Sequence, residues 1–242
     1  MDRTNLGQYF MCWLERKKIR IKNLLTISTP DEALYREIMY SLGYPNNKVN
    51  FLNLAVITPF REISKLPNAQ TIQKALLYRA GLSNDNTGLP DNFDPSLRMD
   101  EKVWNYKKIR PANYPERRII GISRLLNHAK EAGLVSFFTA RIKDAQFFRN
   151  PKKRLQKIMC FEGIGIQRKE EMFFNIILPF LMVLLDNEIL SFANSMFENY
   201  PPLSNNAVLK TFKKSYPEIP IINAKHYFGA LFMMKNHLNF RM

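Results

Sequence analysis

The run from Met172 to Leu185, Met-Phe-Phe-Asn-Ile-Ile-Leu-Pro-Phe-Leu-Met-Val-Leu-Leu, constrains this chain more than any other stretch. Only Asn175 and Pro179 interrupt it, and Asp186 ends it. A bilayer span needs about 20 apolar residues, so these 14 are too few. A helix apolar on every side is instead the buried centre of a helical domain. Pro179 is expected to kink it. The dominant period elsewhere is also helical, with no sustained period-two alternation. The chain therefore reads as all-α, a multi-helix globular bundle around a buried apolar helix at about 168–185. At 242 residues, 46% apolar, it can bury a sizeable core and is not globally disordered.

Local signals divide the rest. Residues 5–25 form a helix with Leu6, Tyr9, Phe10, Trp13 and Leu14 on one side. Thr29-Pro30-Asp31-Glu32 places a hydroxyl at the N-cap, Pro at the first helical position and Glu at N3, a capping box. Gly43 is the expected left-handed stop of that helix. Further helices are expected near 48–57, from a cap at Asn68 to Gly81, and near 96–109, 114–131, 134–147, 151–160, 187–199, 205–214 and 223–238. The polar, turn-rich stretch 82–95 suggests a soft boundary near residue 90. It would separate an N-terminal helical part, 1–90, from a basic part with the main core, 91–242.

The positive charge is uneven. Residues 101–160 hold 15 basic and 4 acidic side chains, whereas 1–100 hold 13 and 10, and 161–242 hold 8 and 7. A polyanion such as DNA or RNA is the simplest partner for such a concentration. An acidic partner domain, or a merely solvated surface, are the other readings. Two cysteines and three dispersed histidines suggest neither a disulfide framework nor a metal centre, and no cofactor is expected. Met1 to Phe10 contains no apolar core of a signal peptide, so a cytoplasmic protein without membrane contact is expected. Oligomeric state is left open.

Four constellations bear on chemistry. In Arg110-Pro111-Ala112-Asn113-Tyr114-Pro115-Glu116-Arg117-Arg118, Asn113 is placed to cap the next helix, with Glu116 at N3. Arg110, Arg117 and Arg118 then surround a helix N-terminus, either as a phosphate or carboxylate site or as an internal clamp onto Glu170 or Glu171. Lys152, Lys153 and Arg154 load the helix near 151–160. Gly163-Ile164-Gly165, followed by Arg168, lacks both the Gly-Lys-Ser/Thr ending and the preceding strand of a nucleotide loop, so a tight turn is the better reading. Glu171 and Asn175 are expected as structural polar groups, Asn175 buried and bonded to a turn carbonyl or an arginine. Glu15-Arg16-Lys17 matches half of a nuclease motif but lies on a helical pattern. His128 is expected to be structural or merely exposed, and Cys160 a small core side chain. Tyr227, Phe228, Leu231 and Met234 are at core spacing, although aromatics beside Lys225 also suit base stacking. No nucleophile–base pair can be assembled, and whether the chain is an enzyme is left open.

Several of these stretches together resemble one family, the bacterial proteins grouped as domain-of-unknown-function family 2851. They are Glu32 to Met39 with Leu42-Gly43-Tyr44, Asn47 and Phe51; Arg110 to Arg118; Glu171 through Asn175 to Leu178-Pro179-Phe180; and Gly229-Ala230-Leu231. Family members are longer, so the resemblance implies that this chain corresponds to their C-terminal half. It would then lack an N-terminal half carrying His- and acid-rich, nuclease-like motifs. Where the family tends to Gln-Gln-Gly, this chain reads Tyr227-Phe228-Gly229, which removes a polar role there. The resemblance carries no activity with it.

The expectation is thus a non-catalytic basic module that binds nucleic acid or docks a separate N-terminal-type domain. Its binding residues would be Arg110, Asn113, Arg117, Arg118, Lys152, Lys153, Arg154 and Arg168. The alternatives are part of a nuclease-like enzyme whose catalytic half is missing, or a structural fragment without a ligand.

Overall fold

A computed structural model describes residues 5–91, 93–107, 109–185, 187–203 and 207–239. Helices follow in the order α1 (Leu6–Leu25), α2 (Pro30–Leu42), α3 (Lys48–Ile57), α4 (Phe60–Ile63) and α5 (Ala69–Arg79). A long irregular segment with 3₁₀ turns at Glu101–Val103 and Pro111–Asn113 leads to α6 (Pro115–Ala129), α7 (Leu134–Ala145) and α8 (Pro151–Ile158). Then come α9 (Ile166–Met172), a π turn (Phe173–Ile177), α10 (Leu178–Leu185), α11 (Asn187–Asn199), α12 (Ala207–Ser215) and α13 (Ala224–Asn239). No strand occurs among the described residues. The fold is all-α, and none of these helices is long and apolar enough to cross a membrane.

The helices start where side-chain acceptors meet free N–H groups. Asn5 accepts from Gln8 N at 3.1 Å, Asn68 from Thr71 N at 2.9 Å, and Asn150 from Lys152 N and Lys153 N. Thr29 Oγ1 accepts from Glu32 N at 3.4 Å, but the reciprocal half of the expected capping box is not made. Glu32 turns instead to the start of α4, accepting Phe60 N at 2.9 Å. Gly43 ends α2 with φ −71°, not left-handed as expected. Glycine is required there because a Cβ would collide with the main chain of Asn47 and Lys48.

The apolar run from Met172 lies at the centre. Phe173, Phe174, Ile177, Leu178, Phe180 and Leu181 are fully buried. Phe174 meets Phe197 of α11 and Tyr200 just after it, and Phe197 meets Phe10 of α1. Trp13 stacks on Phe228 of α13 at 4.4 Å between centroids. One apolar cluster joins all of these and also contains Leu34, Phe51 and Leu76.

The disturbance expected at Pro179 appears as the π turn just before it. Proline has no N–H, so the carbonyl four residues earlier, Asn175 O, loses its helical donor. Lys17 of α1 supplies one, its ammonium donating to Asn175 O at 3.0 Å. The Asn175 side chain is only half-buried, so it is the main chain that engages here, not the amide as expected. Burial lowers the Lys17 pKa to about 8; Glu37 opposes this, while Arg20 and Lys235 add to it.

A group whose folded pKa lies below its ordinary 10.5 makes folding more favourable as pH rises through that window. Tyr35, Tyr106 and Tyr200 work the other way. Burial raises each above the ordinary 10, helped by Glu32 at Tyr35, Glu116 at Tyr106 and Glu170 at Tyr200, so their contribution is lost above pH 10. Wild type should therefore gain stability relative to Lys17→Met between pH 7 and pH 10, read as urea midpoints. A gap that stays constant would refute the buried-ammonium assignment.

The helix expected near 96–109 does not form. Its backbone is claimed by distant partners. Arg79, 1% exposed, donates to Leu97 O at 3.2 Å and to Glu62 at 3.0 Å, and lies over the Phe93 ring. Trp104 Nε1 donates to Ala80 O at 2.7 Å. Asn47 donates to Asn105 O and accepts from Asn105 N. Residues 93–105 are thereby tied to α3 and α5, across the suggested boundary near residue 90. Farther on, Gly163 has φ +86° and touches Gly121 of α6 main chain to main chain, the tight turn expected before α9.

Candidate functional site

The candidate cations fall into an inner and an outer set. At the C-terminal end of α2, Arg118 is 6% exposed and donates to Leu42 O and, at 2.7 Å, to Tyr44 O. Those carbonyls mark the negative end of the helix dipole, where a guanidinium is favoured. Burial, and then the neighbouring charge of Arg168, lower the Arg118 pKa to about 10, with Glu171 opposing. Arg168 pairs with Glu171 at 2.7 Å and reaches Ser41 O at 3.5 Å. Arg118, Arg168 and Glu171 thus form an internal clamp holding α6 and α9 to α2. Arg118 grips main-chain carbonyls, not the carboxylates expected of it. Glu170 faces elsewhere, accepting from Tyr200 Oη at 2.6 Å.

Arg154 is also turned inward. It donates to Phe148 O and Gln146 O past the end of α7 and to Ser195 Oγ of α11 at 3.0 Å. The pattern recurs at residues the sequence did not single out. Lys130 donates to Leu66 O and Pro67 O, and Lys169 donates to Phe161 O. Arg141 donates to Lys157 O and to the sulfur of Cys160. Cys160 is exposed rather than a core side chain, pointing outward just past the end of α8 between the buried Met159 and Phe161. Every residue offers a carbonyl, so this use of cations leaves no mark in a sequence.

The outer set is different. Arg110, Asn113 and Arg117 are exposed near the start of α6. Asn113 does not cap that helix: the N-cap is Tyr114, with Pro115 at the first helical position, and Asn113 belongs to the preceding 3₁₀ turn. Glu116 accepts from Tyr106 Oη at 2.6 Å instead of completing a capping box. His128 is exposed.

On α8, Leu155 and Ile158 face the core, while Lys152, Lys153 and Lys157 face outward, with Arg149 just before the helix. None of these four side chains has a hydrogen-bond or ion-pair partner among the described residues. From Gln146 to Phe161 there are five Lys and Arg and no Asp or Glu. Beside them Phe147 and Phe148 are exposed: α7 ends at Ala145, short of the helix expected over 134–147, so both rings fall in the turn and not on a helical face. The α8 face and the Arg110–Arg117 group lie on separate elements, and no hydrogen bond or ion pair joins them among the described residues.

No group of three His, Cys, Asp or Glu side chains suited to a metal occurs among the described residues. A concavity of about 640 Å³ opens beside the start of α1, lined by Asn5, Gly7, Glu198, Asn223 and His226 among others. None of the candidate residues reaches it.

Residues 3–200 match the model of a family described as Protein of unknown function (DUF2851). The match takes in α1 to α11 and stops before α12 and α13, so Gly229-Ala230-Leu231 lies outside it. No curated protein and no solved structure matches the chain.

Proposed function

The chain belongs to the DUF2851 family of proteins of unknown function, and on that premise, with no activity inherited, we propose that it is a non-catalytic basic module binding DNA or RNA. The outer face of α8 and the turn before it carry this reading: four outward cations, without a partner among the described residues, on a stretch without a single acid. Arg118, Lys130, Arg141 and Arg154 of the same quarter hold carbonyls, whereas these project into solvent. Lys and Arg in that position displace condensed counterions from a phosphate backbone. Arg110 and Arg117 add exposed positive charge. A cytoplasmic location goes with this reading.

The test is a titration of labelled DNA and RNA at rising salt. Affinity should fall steeply with salt, and each of Lys152→Glu, Lys153→Glu and Lys157→Glu should flatten the slope by about one. Arg154→Glu is not an equivalent probe, because it dismantles the end of α7. A flat salt response removes the reading. Docking against a separate domain would then stand, favoured by the outward Met11, Ile19 and Ile27 on and just after α1.

A further inference from the structure

We infer that the turn between α7 and α8 is a stacking platform for single-stranded nucleic acid, with Phe147 as the ring that meets a base. This rests on the nucleic-acid reading above and narrows its ligand to unpaired strands. Phe147 is 82% exposed and Phe148 40%. A single outward aromatic is ordinary on a protein surface. This pair is different because of what surrounds and supports it.

The surroundings are Arg149, the next residue after Phe148, and the lysines of α8 that follow it in the chain. A ring next in the chain to outward cations that have no partner among the described residues suits a ligand offering both a π-face and phosphates. Single strands present both; a duplex keeps its base faces stacked inside.

The support is Arg154. Its guanidinium holds the carbonyls of Gln146 and Phe148, on either side of Phe147, and is itself tied to Ser195 on α11. Asn150 caps α8 from the other side of the turn. The main chain that presents Phe147 is thus fixed before any ligand arrives, which lowers the ordering needed on binding. Arg154, first expected as a phosphate contact, is a positioning residue for the ring.

An anionic lipid surface also attracts aromatics beside lysines. It calls for a helix whose apolar face enters the bilayer. The apolar face of α8, Leu155 and Ile158, is fully buried in the protein. That leaves too little free apolar surface, and the single strand is favoured.

The experiment compares a short oligothymidylate with a hairpin duplex of matched length, by fluorescence anisotropy on the full chain. Wild type should prefer the oligothymidylate. Phe147→Ala should weaken that binding about tenfold, leave the duplex unaffected and leave the salt slope unchanged, since no charge is lost. Phe147→Trp should restore affinity, and its added fluorescence should be quenched on titration. Lys152→Glu with Lys153→Glu should weaken both ligands. If Phe147→Ala changes nothing, or weakens both ligands equally, while the lysine variants still act, the platform is refuted and the nucleic-acid reading survives. If wild type binds neither ligand, both fall. Phe147-dependent capture by phosphatidylserine vesicles without oligothymidylate binding would also overturn the inference, in favour of a membrane surface.

Discussion

Gly229→Val is expected to cost this protein about 3 kcal/mol or more, the upper end for overpacking a core. The reason is a meeting of two main chains. A Cβ at residue 229 of α13 would collide with the carbonyl of Leu6 and crowd the amide of Phe10, both on α1. Neither helix can retreat cheaply, because Leu6, Phe10, Tyr227 and Phe228 are all buried around the crossing. Losses of this size lower the melting temperature by about 10 °C in a chain this long. Gly229→Ala should already show a substantial part of the effect. Gly165→Ala is the control: its φ is −64° and nothing lies within 4 Å of the added carbon. Chemical denaturation of the three variants decides the matter. A Gly229→Val protein as stable as wild type would mean that α13 does not pack on α1 in this way.

Arg79→Ala should be the second large loss, at about 3 kcal/mol. Arg79 is almost wholly enclosed, yet it joins three things: the carboxylate of Glu62, the carbonyl of Leu97 and the face of Phe93. Glu62 remains about a third exposed, so water recovers part of its charge when the arginine goes, which holds the estimate at the low end. The freed segment should become a protease target between residues 82 and 100, a change visible on a gel. Arg79→Lys should not rescue, because a single ammonium cannot serve Glu62 and Leu97 O in a fork. Wild-type resistance to protease in Arg79→Ala would show that the segment is held by other contacts.

These two sites mark how far the fold was legible. Helix starts were readable wherever an acceptor side chain or a proline stood at the right place, as at Thr29-Pro30 and Asn68. The central apolar run was readable from hydropathy alone. Residues 96–109 were not, since their course depends on Arg79, Asn47 and Trp104, and no local pattern holds that information. Gly43 was identified as a stop for the wrong reason, because close approach of a neighbouring main chain leaves no trace in spacing. The candidate site divides in the same way. The charge run on α8 was plain, and its lysines do face outward. Arg118 and Arg154 carried the same sequence signal, but their acceptors are carbonyls at helix ends, which no composition reveals. Phe147 and Phe148 were overlooked because the helix expected over 134–147 ends already at Ala145, which puts both rings in a turn that no helical period describes.

The two tryptophans sit at the two seams these glycine and arginine contacts hold. Trp13 is sandwiched against Phe228 where α1 crosses α13, and Trp104 donates its indole N–H to Ala80 where the irregular segment is fastened. With only two such chromophores in the chain, emission spectra act as a built-in optical gauge. Loosening the first seam should redden Trp13 and spare Trp104, and releasing the second should do the reverse.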